Sequence, residues 1–238
     1  MIHYQFSDRV ARITLDRPEA GNRINYQMML DLIAAFECAA ADKAIVLVLD
    51  AKGEDFTWGR DQKEALPKEV SRLDSLGLIL RANAALRDFP GISIALVKGH
   101  ALGFGSGLAL HATFSLGADT AVLGFDEIAH GLAPLVVVAY LPHFIGARLA
   151  TDLVYTGRKL AAEEAAKIGL LTRVVPADRL EADGEALINE LLQKPAGALR
   201  LIRSFEKGLP TQYPDARISA EAISRLDAWL GAGRPEFI

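Results

Sequence analysis

Val97-Lys98-Gly99-His100-Ala101-Leu102-Gly103-Phe104-Gly105-Ser106-Gly107-Leu108-Ala109-Leu110 is the stretch on which the fold turns. The apolar run Ile92–Val97 leads into it, glycines 99, 103, 105 and 107 crowd its centre, and a small-residue apolar segment leads out. The pattern predicts a buried strand, a tight loop and a buried helix. Closely spaced glycines let a backbone approach another group and adopt dihedrals costly for other residues. A helix starting after such a loop aims unpaired N–H groups outward, where they favour negative charge. The expectation is a loop that holds an oxygen becoming negative during a reaction.

Outward from this stretch, Ile2–Phe6 and Val10–Leu15 alternate apolar and polar residues around Ser7-Asp8-Arg9, a hairpin signal. Asn25 reads as the N-cap of a helix carrying Met28, Met29, Leu32, Ile33 and Phe36 at helical spacing. Ala44–Leu49 reads as a second buried strand, and Leu73–Phe89 as a helix ending at Pro90-Gly91. Downstream, Thr113–Leu116, Ala121–Leu123 and Leu171–Val175 read as strands. Helices follow from after Pro134 to about Phe144 and over Gly146–Tyr155 and Ala161–Ile168. Everything from Ala177 onward reads as helical. Continuous apolar strands need cover on both faces, and the recurring strand–strand–helix unit suggests a spiral.

The chain has 238 residues, about half apolar and a quarter charged, with a formal net charge of −4, so no basic stripe suggests nucleic acid or a membrane surface. The apolar run Leu132–Ile145 is broken by Pro134 and Pro142 and is too short to span a bilayer. The N-terminus lacks a signal-peptide pattern, so the expectation is a cytoplasmic protein. The single Cys38 excludes an intrachain disulfide and is expected to be a buried structural residue.

Five loops in order carry a resemblance. Leu15-Asp16-Arg17-Pro18-Glu19-Ala20-Gly21-Asn22, Phe56-Thr57-Trp58-Gly59-Arg60-Asp61, the glycine stretch, Gly124-Phe125-Asp126-Glu127-Ile128, and Tyr155–Arg158 continuing to Ala165–Leu171 together resemble the crotonase (enoyl-CoA hydratase/isomerase) superfamily. The resemblance implies an α/β fold: a ββα-spiral core over residues 1–176 and a helical C-terminal region, 177–238, that builds trimers, often paired into hexamers. It implies an acyl-CoA thioester substrate, with coenzyme A entering as part of the substrate and no separate cofactor. It also implies an oxyanion hole made by the backbone N–H groups of Arg60 and Phe104.

Family hydratases hold a water between two glutamates. At the first position this chain has Gly107; at the second it has Glu127, with Asp126 in place of the usual proline. A lone carboxylate suits a 1,3-proton shift, so the expectation is an enoyl-CoA double-bond isomerase with Glu127 as the single acid/base. Hydration, a lyase reaction, is the alternative, with His130 or Asp126 replacing the missing acid. The alternative of another class is a catalytically silent CoA-binding or scaffolding protein. Glu127 taken alone reads as a helix-start carboxylate, and Asp126 as a cap or turn former. His100 and His111 read as packed in or near the core, and no His/Cys spacing supports a metal site. Arg17, Trp58, Asp61 and Lys63 lie in or beside the loops lining the family's CoA channel and are candidate substrate-binding residues. Phe205, Leu209, Ile218, Ile223, Leu226, Trp229 and Leu230 exceed what one amphipathic helix needs and read as an oligomer surface rather than a ligand site.

Overall fold

The computed structural model describes residues 1–207 and 216–233. Strands β1 (Ile2–Ser7) and β2 (Val10–Leu15) form the antiparallel hairpin at the edge of the main sheet. Asp8 and Arg9 turn it with φ of 50° and 67°, the left-handed pair that matches strand twist in a two-residue loop. Helix α1 (Tyr26–Ala41) is capped by Asn25, whose Oδ1 accepts the Met28 N–H at 2.8 Å. Its core face carries Met29, Leu32 and Phe36. Cys38 is exposed, contrary to expectation, because two positions beyond Phe36 is the opposite side of the helix.

Strands β3 (Val46–Ala51), β4 (Ile92–Val97), β6 (Phe114–Ala118) and β9 (Arg173–Val175) extend the sheet in parallel, in the order β1-β2-β3-β4-β6-β9. Strand β4 is buried at every position, as its apolar run requires, and its one polar side chain, Ser93, accepts the Thr113 N–H at 2.9 Å. Helix α2 (Arg72–Arg87) crosses between β3 and β4, with the Ser71 hydroxyl accepting the Asp74 N–H at 3.0 Å. Strand β6 runs two residues beyond the expected Leu116. Gly117 and Ala118 continue it by pairing with Val174 and Val175 of β9, and Leu171 packs where a β-carbon at Gly117 would stand.

A second sheet, in the order β5-β7-β8, stands beside the first: β5 (His100–Leu102), β7 (Val122–Gly124) and β8 (Lys159–Ala161). At three residues each, β5 and β8 leave no periodicity to read in the sequence. The 56–61 loop is stitched to β5: Thr57 N–H donates to His100 O at 2.9 Å and Leu102 N–H to Thr57 O at 3.0 Å. Helix α3 (Phe104–His111) follows β5 directly and is buried along its whole length. Helices α4 (Leu135–Ile145), α5 (Ala147–Thr156) and α6 (Ala162–Lys167) precede β9. Helices α7 (Leu180–Leu192), α8 (Ala196–Lys207) and α9 (Ala216–Gly231) follow it. The mixed α/β architecture is the expected one. No helix among the described residues is long and apolar enough to cross a membrane.

Of the tail residues expected on an oligomer surface, Phe205 and Ile218 are exposed, whereas Leu226 is buried. Leu226 and Leu230 instead line the cavity described next, because α9 folds back against α2 and α4. Leu209 lies outside the described residues.

Candidate active site

Two glycines bring two backbone turns together. Gly59 has φ +84°, and a β-carbon there would stand 2.7 Å from Leu102 O and 3.5 Å from Phe104 N. Only glycine allows that approach. Gly103 has φ +51° and donates its N–H to Gly124 O at 2.8 Å, which turns the chain into α3 with Phe104 as its first residue. Around Arg60, Ile24 N–H donates to Gly59 O and Asp61 N–H to Ile24 O, both at 2.9 Å. That parallel bridge leaves the Arg60 N–H on the other side. Among the described residues, neither the Arg60 nor the Phe104 N–H has an acceptor. Fixed, unpaired N–H groups side by side can hold an oxygen that takes on charge, without reorganising.

Glu127 faces the same place. After β7 the chain makes a single 3-10 turn, Glu127–His130, closed by Gly131 at φ +70°. A β-carbon on Gly103 would lie 3.0 Å from Glu127 Oε1, and Glu127 Oε2 is enclosed with no hydrogen-bond partner. Burial pushes the Glu127 carboxyl up to about 7; its own backbone N–H opposes the shift and the Asp126 carboxylate adds to it. A carboxyl near neutrality can both take and return a proton.

Gly107 lies one helical turn beyond Gly103, its N–H donating to Gly103 O at 3.1 Å. A β-carbon at Gly107 would meet the Tyr140 hydroxyl at 3.0 Å. The space beside Gly107 is therefore taken by a phenol brought from α4, a residue that sequence reading passed over as part of an apolar helix. The Tyr140 ring packs on His111, with centroids 4.9 Å apart. Burial, with the Glu127 carboxylate second, holds the phenol well above its ordinary range, so it stays neutral and can only donate a proton in a hydrogen bond or accept one. His111 is buried as expected, and burial pushes it down to about 3, keeping it neutral.

These groups open onto one cavity of about 1140 Å³. Phe104, Leu132 and Val136 line it near Glu127, and Trp58, Asp61 and Lys63 also reach it. Arg17 does not line it: its guanidinium donates to Asp61 Oδ2 at 2.7 Å, pairing two of the candidate binding residues with each other. Trp58 donates to Asp55 Oδ2 at 2.7 Å, with Arg23 and Lys159 over its ring at 5.0 and 5.8 Å. His130 is exposed, and its Nε2 lies 3.4 Å from Asp126 Oδ2, so the two auxiliary candidates meet each other. The Asp126 side chain caps no helix N–H. Among the described residues, no cluster of three His, Cys, Asp or Glu side chains could hold a metal ion.

The family model described as enoyl-CoA hydratase/isomerase matches residues 5–224. A Rhizobium meliloti protein named probable enoyl-CoA hydratase is 34% identical, over 94% of this chain and 82% of its own length. The probable enoyl-CoA hydratase echA8 of Mycobacterium bovis is 35% identical, over 84% of this chain and 80% of its own. Among solved structures, a probable enoyl-CoA hydratase from Mycobacterium thermoresistibile superposes with a TM-score of 0.83 at 30% identity, covering 97% of both chains. An enoyl-CoA hydratase/isomerase from Xanthobacter autotrophicus Py2 gives a TM-score of 0.86 at 26% identity, covering 98% of this chain and 88% of that one. The motif loops, the spiral of sheets and these matches agree: the chain belongs to the enoyl-CoA hydratase/isomerase (crotonase) family.

Proposed function

We propose that this chain is an enoyl-CoA double-bond isomerase with Glu127 as its single acid/base. The observation that carries the reading is one recessed carboxyl facing two unpaired N–H groups, with Gly107 and a neutral phenol where a second acid would stand. The thioester oxygen of a 3-enoyl-CoA sits against the Arg60 and Phe104 N–H groups. Glu127 carboxylate takes a proton from C2, and the electron pair moves into the carbonyl to give a dienolate. The Glu127 carboxylic acid then returns the proton at C4, and the double bond moves from C3–C4 to C2–C3. No electrons enter or leave, so the reaction needs no cofactor besides the coenzyme A of the substrate. Each N–H donor contributes about 2.7–4 kcal/mol to the enolate-like transition state. Phe104 and Tyr140 narrow the space in which a water would attack C3. The exposed Leu201 and Phe205 of α8 suit burial between copies in a trimer or a hexamer.

The test is proton exchange in deuterium oxide. Wild type washes deuterium into C2 of a saturated acyl-CoA or C4 of a 2-enoyl-CoA, and Glu127→Gln does not. A Glu127→Gln protein that exchanges at the wild-type rate overturns the assignment of the base.

Hydration is the second reading, favoured by the names of the relatives, most of which are called hydratases. It needs a water held between Glu127 and Tyr140, and it yields a 3-hydroxyacyl-CoA.

A further inference from the structure

The Arg60 side chain is not used by the chemistry above, which takes only its backbone N–H. Its guanidinium reaches α2, where Nη2 donates to the buried Ser75 hydroxyl at 3.0 Å. Nη1 is enclosed and has no hydrogen-bond partner. The neighbouring acids are committed elsewhere: Asp61 to Arg17 at 2.7 Å, and Glu64 to the Tyr26 N–H at 2.6 Å. Both act on Arg60 only at longer range, and burial outweighs them, pulling the guanidinium below its ordinary value. A half-buried cation without an ion-pair partner is costly, and the cost is recovered when an anion arrives.

Arg60 and Ser75 line the cavity that holds Glu127. The same wall carries Leu76 and Ile79 of α2 and Leu226 and Leu230 of α9, all apolar. Of the other cations there, Arg72 is paired with Asp227 at 2.7 Å, Arg23 and Lys159 lie over the Trp58 ring, and Lys63 is exposed to solvent.

We propose that Arg60 recognises a second carboxylate on the acyl chain, so that the substrate class is a dicarboxylic acyl-CoA thioester. This rests on the acyl-CoA reading above and narrows it. The guanidinium suits a charge-assisted contact with a carboxylate, which the enclosed Nη1 makes by turning toward the cavity, and the apolar wall strengthens it by excluding water.

The test is calorimetric binding of two unreactive five-carbon thioesters, glutaryl-CoA and pentanoyl-CoA. Wild type binds glutaryl-CoA about 10- to 100-fold tighter, the scale of a charge-assisted contact in a dry site. In Arg60→Met the ratio falls to about one, and in Arg60→Lys part of it returns, as expected of a charge contact. Pentanoyl-CoA binding as tight as glutaryl-CoA to wild type overturns the proposal while leaving the acyl-CoA reading standing. A preference that survives in Arg60→Met also overturns it. If neither thioester binds, the acyl-CoA reading fails and this proposal with it. The wild-type ratio decides even if a variant does not fold.

Discussion

Gly107 and Tyr140 share one volume: the β-carbon that any other residue would carry at 107 falls 3.0 Å from the Tyr140 hydroxyl. Restoring a carboxylate there is therefore not a single-residue change. Gly107→Glu alone overpacks the site, costs about 1–3 kcal/mol of stability and gains no hydration. Gly107→Glu with Tyr140→Ala frees the space, so the double variant is more stable than the single one and hydrates 2-enoyl-CoA. Denaturant midpoints and absorbance of the conjugated thioester check both statements; a single variant as stable as wild type contradicts the shared volume.

Glu127 sets the pH dependence of turnover. With its carboxyl at about 7, kcat/KM rises with pH through neutrality as the base becomes a carboxylate. Replacing Glu127 with Gln lowers turnover by about 10²–10⁴-fold, the usual share of a general base, while thioester binding persists. A pH–rate profile half-maximal near 4.5 would show a carboxyl left in its ordinary range, against the enclosure of Oε2.

The same shift governs stability, with a definite sign. Between its ordinary 4.5 and its folded value of about 7, Glu127 holds a proton in the folded state that the unfolded chain has lost. Its contribution to stability therefore falls as pH rises across that window. His111 works in the opposite direction: pushed from 6.5 to about 3, it costs stability as pH falls from 6.5 toward 3. Glu127→Gln removes the first slope, so at pH 8 it is more stable than wild type by about 2–3 kcal/mol, and near pH 4.5 by much less. Urea unfolding at the two pH values measures this; an equal gap at both contradicts it.

Much of this site is legible in the sequence because glycine requirements are local. Gly59 and Gly103 stand where the chain turns with positive φ against another strand, so they mark their loops without any knowledge of the rest. The strands of the main sheet are legible for a similar reason, since β3 and β4 are almost wholly buried and their apolar runs are interrupted only by Asp50 and Ser93. Tyr140 is not legible, because nothing local distinguishes it from the other large side chains of α4; only packing against Gly107 and Glu127 gives its hydroxyl a role. Leu226 and Leu230 are misread for the same reason, since apolar residues on a tail helix look alike whether they face the cavity or another copy. The Arg60 side chain is hidden behind its own backbone: the motif draws attention to its N–H, and the missing ion-pair partner appears only once Asp61 and Glu64 are seen to be occupied.

Gly59 is the least replaceable residue of the anion-binding pair. Gly59→Ala must either leave φ +84° or push Leu102 O from 2.7 Å, and both move the Arg60 N–H away from its neighbour at Phe104. Turnover falls about 10²–10³-fold, as when one such donor is lost, and kcat falls more than substrate affinity. Steady-state kinetics on the variant check this, and a KM effect with kcat intact would mean that the N–H serves binding alone.

The product formed from a 3-enoyl-CoA is the most direct measurement of the central claim, that Glu127 alone moves one proton between C2 and C4. Wild type is incubated with 3-hexenoyl-CoA and the thioesters are separated by chromatography. The expected product is 2-hexenoyl-CoA, formed by wild type and not by Glu127→Gln. Failure to convert 3-hexenoyl-CoA, together with formation of 3-hydroxyhexanoyl-CoA from 2-hexenoyl-CoA, contradicts it and assigns the site to hydration.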